Sequence, residues 1–147
     1  MKHTAKGSLL TDIILGTFKL NGLLVMEGDQ LVKEVGLTSA RWKVLGALSY
    51  GPGSMTVSEI ARTMGQSRQA VQRLSNDMIK DGLLMTHQNP DHKRAKLLML
   101  TDKGKHAYEL AMLKQIPWVN SLASETKKAD LELASSVLQK FIRQLER

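Results

Sequence analysis

The spacing of apolar residues predicts helices in the first third of the chain. Between residues 9 and 35 they recur in roughly helical register, until Gly36 interrupts the pattern. These apolar positions are Leu10, Ile13, Ile14, Phe18, Leu24, Leu31 and Val32. One long helix, or two helices with a joint, is therefore predicted. A further helix is predicted over residues 39–50, because Thr38 suits an N-cap and Trp42 begins an apolar face.

Two shorter helices separated by a tight turn are predicted next. Thr56 and Glu59 form a T-x-x-E capping box that opens the first of them, and Gly65 ends it. Ser67 is a suitable N-cap for the second helix, and Gly82 is the expected left-handed residue past its end. This punctuation is typical of a helix-turn-helix.

The pattern then changes to that of a β-hairpin followed by two helices. The apolar runs Leu83–Thr86 and Leu97–Leu100 flank a polar tip. Thr101 is expected to cap the next helix, which we expect to be bent or broken near Pro117. In the last helix, apolar residues recur at three- and four-residue steps: Leu131, Ala134, Leu138, Phe141, Ile142 and Leu145.

The helix after Ser67 has a polar face whose side chains suit the edges of base pairs. Arginine donates twice to guanine, glutamine both donates to and accepts from adenine, and free N–H groups at a helix start suit phosphate. A solvated face is the alternative, but the preceding capped helix and turn favour DNA reading. The predicted contact residues are Ser67, Arg68, Gln69, Gln72, Arg73 and Asn76.

The hairpin tip supplies a second basic element. His92, Lys93, Arg94 and Lys96 lie together in the stretch "DHKRAK", which would project from the body as a wing. Such a loop can reach phosphates or the minor groove beside the helix. Asp91 is expected to orient Lys93 or Arg94 rather than to take part in chemistry.

Composition supports a nucleic-acid partner. The 147 residues suit one domain, and 21 Lys and Arg against 14 Asp and Glu give a formal charge of +7, which attracts polyanions. The absence of Cys excludes disulfides and thiol chemistry and favours the cytoplasm. No uninterrupted apolar run approaches the roughly 18 residues of a membrane span, so a soluble protein without a membrane partner is expected.

Enzyme and metal signatures are missing from the sequence. It contains no GxSxG, P-loop or GxGxxG motif, so neither an enzyme nor a cofactor is expected. The four histidines show no HxxxH spacing, and no metal site is therefore expected.

Three segments together resemble the MarR (multiple antibiotic resistance) family of bacterial transcriptional regulators. They are "LTSARWKVLGAL", "MTVSEIARTMGQSRQAVQRLSNDMIKDGLL" and "NPDHKRAKLLMLTDKG". The most specific element is the wing signature D-x-[RK]-R followed by an apolar strand and L-T-x-x-G, matched by Asp91, Lys93, Arg94, Leu100, Thr101 and Gly104. Lys93 departs from the commoner arginine, which keeps phosphate binding but removes bidentate geometry.

The resemblance implies a mainly α fold with a small β hairpin, a winged helix-turn-helix. It implies a homodimer whose first and last helices intertwine, with residues 1–36 and 104–147 forming the dimerisation region and residues 37–103 the DNA-binding region. It also implies a small aromatic or anionic effector bound between these regions, where Trp42 would line the pocket. Long apolar stripes at both ends of the chain independently predict a dimer.

The resulting prediction is a sequence-specific regulator of transcription that binds a pseudo-palindromic double-stranded operator and acts as a repressor released by a small molecule. A winged helix used for protein–protein contacts is one alternative, against which the basic helix face argues. An RNA-binding module is another, but such modules stack bases on exposed aromatic residues, and the chain has only two Phe, two Tyr and two Trp.

Overall fold

The computed structural model describes residues 1–146 and is mainly α-helical, with one small antiparallel sheet. The elements are α1 Ala5–Val32, α2 Ser39–Tyr50, α3 Val57–Met64, α4 Arg68–Lys80, β1 Leu84–His87, β2 Leu97–Leu100, α5 Asp102–Ala123 and α6 Lys128–Leu145. A short 3-10 helix, Lys33–Val35, follows α1. The predicted winged helix-turn-helix fold class is confirmed, with α3 and α4 as its two helices and the β1–β2 hairpin as its wing.

Side-chain caps determine where the helices begin. Each predicted cap accepts a hydrogen bond from the backbone N–H three residues on: Thr38 from Arg41, Thr56 from Glu59, Ser67 from Ala70 and Thr101 from Gly104, at 3.0–3.2 Å. The sequence interpretation missed a further cap, because Thr4 accepts from the N–H of Gly7 at 3.0 Å. As a result α1 begins at Ala5 and runs as one helix to Val32.

The hydrophobic core lies in the winged helix and fixes the orientation of α4. Its largest fully buried apolar side chains come from α2, α3, α4, β1 and the end of α1: Val32, Val44, Leu45, Leu48, Ile60, Val71, Met78 and Leu84. Each contributes roughly 1.5–3 kcal/mol by leaving water. Because Val71 and Met78 are both buried, the opposite face of α4 is directed to solvent.

The predicted start of the hairpin is wrong by one residue. Strand β1 begins at Leu84, since Leu83 lies in the turn that follows α4. Gly82, with φ of 78°, donates its N–H to the carbonyl of Ile79 at 3.0 Å, and Leu83 donates to that of Met78 at 2.9 Å. These two bonds form a Schellman motif, which holds Leu83 in the helix exit.

Helix α1 leaves most of its apolar residues exposed. Its side chains Ile13, Leu15 and Phe18 are 54%, 61% and 69% exposed. An 18-residue window within Ala5–Val35 has a mean hydropathy of 1.5, so by length and composition alone this stretch could cross a membrane. Asp12 and Lys19 interrupt its apolar residues, so no uninterrupted apolar run reaches that length, as expected from the sequence.

The chain divides into two units, and α5 passes from one to the other. The first unit is Met1–Leu113 and the second begins at Lys114. Helix α5 is not broken at Pro117 but continues through it to Ala123. Pro117 has no N–H to donate to the carbonyl of Leu113, so one helical hydrogen bond is missing where the units meet in the sequence.

In the second unit, α6 begins at Lys128 and buries none of its residues. Its predicted apolar stripe is present, but Leu131, Leu138 and Leu145 are 45%, 52% and 80% exposed. Apolar surface on this scale is unusual for the outside of a soluble protein and indicates a contact surface.

Candidate nucleic-acid interface

The N-terminal half of α4 presents the predicted polar face to solvent. Ser67, at the N-cap, and the following Arg68 and Gln69 are exposed, as are Gln72 and Arg73 one turn further on. The first turn of α4 contains no acidic residue, so the helix start keeps its positive end of the dipole uncompensated. An anion such as a phosphate is favoured there.

Two amides on this face are joined to one another. The Nε2 of Gln72 donates to Oδ1 of Asn76 at 2.9 Å, across one turn of α4. The bond leaves Oε1 and the second N–H of Gln72 available, which is the acceptor and donor pair that adenine requires in the major groove. It also restricts the amide to one orientation, so less side-chain entropy is lost on binding.

The base of the wing is hydrogen-bonded to the segment before α3. Leu84 pairs with Leu100 and His87 with Leu97 in the antiparallel register. Leu98 also exchanges two backbone hydrogen bonds with Met55, at 2.8 and 3.2 Å. The base of the wing is therefore held beside the start of α3.

The wing cations are free for a partner. The predicted residues His92, Lys93, Arg94 and Lys96 are all exposed. Within residues 1–146, no ion pair joins the two lysines or the arginine to an acidic residue. Asp91 was expected to orient Lys93 or Arg94, but it forms no ion pair with either in the described structure. Its backbone N–H instead donates to Oδ1 of Asn89 at 3.0 Å, which closes the turn.

One cleft unites the helix and the wing. It has a volume of about 720 Å³ and is open to solvent. Six of the predicted DNA-contacting residues line it: Arg68, Gln69, Gln72, Asn76, Arg94 and Lys96. The two predicted basic elements, which are separate in the sequence, thus form one concave surface.

Three hydroxyl-bearing residues of this cleft were not predicted as site residues. Thr56 and Ser58 come from the start of α3, and Thr86 comes from β1. Thr56 is buried and uses its hydroxyl as the α3 cap, whereas Ser58 is half-buried and Thr86 is exposed. The capping box in the sequence indicated where α3 starts. That this start lies beside the wing depends on the pairing of Met55 with Leu98, which the sequence did not indicate.

Four predicted residues lie outside the lining of this cleft. Ser67, Arg73, His92 and Lys93 are exposed but do not line it. Each of the four lies within two residues of a lining residue in the sequence.

Trp42, the predicted effector contact, is half-buried and packs against the core. It does not line a second cleft, of about 460 Å³, whose walls include Leu48, Met99, Leu100 and Tyr108. Burial, together with hydrogen bonding to Tyr50, raises the pKa of Tyr108 in that cleft to about 12.

Comparison with known proteins identifies the family. A family model described as "MarR family" matches residues 35–95, which extend from α2 into the wing. The structure of a mutant MarR from E. coli complexed with operator DNA has the same fold, with a TM-score of 0.71 at 20% identity, covering 90% of this chain and 97% of that one. This chain belongs to the MarR family.

Two curated relatives extend the likeness beyond the DNA-binding region. The uncharacterized protein Rv2011c of Mycobacterium tuberculosis is 34% identical over 130 residues, which make up 88% of this chain and 90% of the relative. The transcriptional activatory protein BadR of Rhodopseudomonas palustris is 31% identical over 108 residues, 72% of this chain and 62% of BadR. This MarR-family chain is accordingly a DNA-binding regulator of transcription.

Proposed function

We propose that this MarR-family protein binds a pseudo-palindromic operator as a homodimer and represses transcription until a small aromatic or anionic molecule releases it. The observation that carries the proposal is the shared cleft, because it places the amides of α4 and the cations of the wing on one surface. The E. coli MarR complex with operator DNA shows that this fold accommodates a duplex.

In this proposal α4 enters the major groove and contacts base edges. Gln72, held by Asn76, is assigned to adenine, while Arg68 and Arg73 are suited to guanine or to phosphate. The exposed N-terminus of α4 and Ser67 bind phosphate. Base contacts of this kind supply sequence specificity, since phosphate contacts carry no direct sequence information.

The wing is assigned to the backbone and the adjacent minor groove. Lys93, Arg94 and Lys96 lack acidic partners within the described structure, so binding phosphate breaks no existing ion pair. Each neutralised phosphate releases condensed counterions, which makes the affinity dependent on salt.

Homodimerisation is supported by the exposed apolar faces of α1 and α6. Residues 1–36 and 104–147 are proposed to form the dimerisation region, leaving residues 37–103 to bind DNA. Two copies related by a two-fold axis would contact half-sites about one helical turn, or roughly 10 base pairs, apart. Sedimentation at low micromolar concentration should give a dimer, and a stable folded monomer would contradict this assignment.

Repression is proposed because occupancy alone suffices for it. A dimer that covers two half-sites blocks a promoter without any contact to polymerase, and such a protein acts in the cytoplasm. BadR, a relative, is named as an activator, so the sign of regulation is tested separately. Expression of a reporter behind the selected operator should fall when this protein is present and rise again with its effector.

Selection of bound sequences from a random duplex pool tests the proposal most directly. A palindrome with adenine in each half-site is the expected result. Arg73→Gln and Lys43→Gln make a matched pair, because each replaces one exposed cation by glutamine but only Arg73 lies on the proposed interface. Retention of random sequences by the wild-type protein would overturn operator recognition, and preference for structured RNA would favour the alternative module.

A further inference from the structure

The C-terminal end of α4, remote from the proposed base contacts, is held by side chains of two other helices. The Schellman motif at Gly82 ends the helix and turns the carbonyls of Asp81 and Gly82 outwards. From the start of α5, the Nζ of Lys103 donates to the carbonyl of Asp81 at 2.7 Å, and the hydroxyl of Thr101 donates to that of Gly82 at 2.5 Å.

The Asp81 side chain is held from the other side by α2. The guanidinium of Arg41 lies 2.7 Å from its carboxylate, with the Arg41 side chain 22% exposed and that of Asp81 50% exposed. The carboxylate of Asp81 therefore forms an ion pair with Arg41, and its backbone carbonyl accepts a hydrogen bond from Lys103. Its contacts join three helices at one residue.

The α2 end of this junction is itself fixed to α1. Ser39, two residues before Arg41, donates its N–H to Oδ1 of Asp29 and its hydroxyl to the carbonyl of Val25, both at 2.7 Å. The buried Gly28 leaves the space that Ser39 needs, since a Cβ there would collide with the Ser39 hydroxyl. Arg41 thus extends from a helix start that cannot shift independently of α1.

We propose that Arg41 is a positioning residue for DNA binding: through Asp81 it sets the direction of α4 and so the placement of Gln72 and its neighbours in the groove. The inference rests on the proposed operator binding but concerns residues outside the shared cleft. A helix held only by its buried face can still tilt about that contact. The ion pair and the Lys103 bond restrain the far end, where a given tilt produces the largest displacement.

Long-range electrostatics and the proposed positioning role predict opposite changes in operator affinity for Asp81→Asn. Asp81→Asn removes a negative charge from a DNA-binding protein, so long-range attraction alone would tighten binding. Positioning predicts weaker operator binding, since Arg41 loses its charged partner. Neither residue contacts phosphate in this scheme, so the dependence of the affinity on salt should keep its wild-type slope.

The experiment measures binding to the selected operator and to a scrambled duplex, at several salt concentrations, for six proteins. These are the wild type, Arg41→Gln, Asp81→Asn, the charge exchange Arg41→Asp with Asp81→Arg, Asp81→Arg alone, and Lys43→Gln as the matched α2 control. The Arg41–Asp81 pair is partly exposed, and ion pairs near the surface contribute little to stability, so all six should fold. Thermal melting verifies that they do.

The expected result is that Arg41→Gln and Asp81→Asn each weaken operator binding roughly fivefold, a typical coupling for residues in one network. The salt slope should stay unchanged, and the charge exchange should recover most of the loss seen for Asp81→Arg alone. Asp81→Asn binding the operator as tightly as the wild type, or more tightly, would overturn the inference. A charge-exchange variant that binds the operator as weakly as Asp81→Arg alone would also overturn it. Absence of any sequence preference in the wild type would instead reject the operator proposal itself.

Discussion

Helix α4 and the wing line the same cleft but are supported in different ways. Helix α4 buries Val71 and Met78 completely in the core, and its polar face carries hydrogen-bonded amides. The wing leaves three of the four β1 residues exposed, and its tip is closed by short contacts of Asn89. A rigid support suits contacts that depend on geometry, whereas an exposed cationic loop suits contacts that depend on charge. In the proposed function, this difference assigns sequence specificity to α4 and salt-dependent affinity to the wing.

The largest predicted effect comes from removing the support of α4. Met78→Ala should lower the free energy of unfolding by about 2–5 kcal/mol, because the side chain is fully buried and leaves a cavity. The matched variant Met85→Ala alters a residue of β1 that is 41% exposed and should change it by about 0.5 kcal/mol or less. Urea denaturation measures both. Equal losses would show that the wing is anchored as firmly as the helix.

The second prediction concerns the charge of the wing. Arg94→Ala should weaken binding to operator and scrambled DNA similarly, because a phosphate contact is present on both. It should reduce the slope of log affinity against log salt by about one unit. Binding titrations at several salt concentrations measure this slope. Loss of operator binding alone would instead assign Arg94 to a base edge.

The smallest effect is expected at Tyr108, in the cleft beside β2. Its pKa is raised to about 12 in the folded chain, against roughly 10 when unfolded. The resulting stabilisation is complete below about pH 10 and is lost as the pH rises towards 12, because the unfolded chain loses its proton first. Urea midpoints of the wild type should therefore fall more over this interval than those of Tyr108→Phe. Parallel curves would contradict the raised pKa.

The sequence predicted the local features of α4 and the wing well. Ser67 caps α4 as expected because its partner N–H lies only three residues away, and the polar face follows from helical periodicity alone. The exposure of Arg94 follows from its place in a polar hairpin tip. Such features depend on residues that are close in the sequence, so they can be inferred from the sequence alone.

Features that depend on tertiary contacts could not be predicted in this way. Ser58 and Thr86 reach the shared cleft only because Met55 pairs with Leu98. Arg41 and Asp81 lie far apart in the sequence, and no periodicity links them. The exposed apolar face of α1 agrees with the apolar stripes from which a dimer was predicted, but an amphipathic pattern shows which residues share a face and not what covers it.

The most direct test of the account is the effect of Gln72→Ala on the ratio of operator affinity to scrambled-DNA affinity. Gln72 carries no charge, so counterion release cannot explain a change in this ratio. We expect a loss of roughly 1–3 kcal/mol on the operator, a much smaller loss on scrambled DNA, and an unchanged salt slope. Replacing the half-site adenine by 7-deazaadenine, which lacks the N7 acceptor, should weaken the wild type but not Gln72→Ala. An unchanged affinity ratio in Gln72→Ala would show that this face of α4 is solvated and does not contact bases.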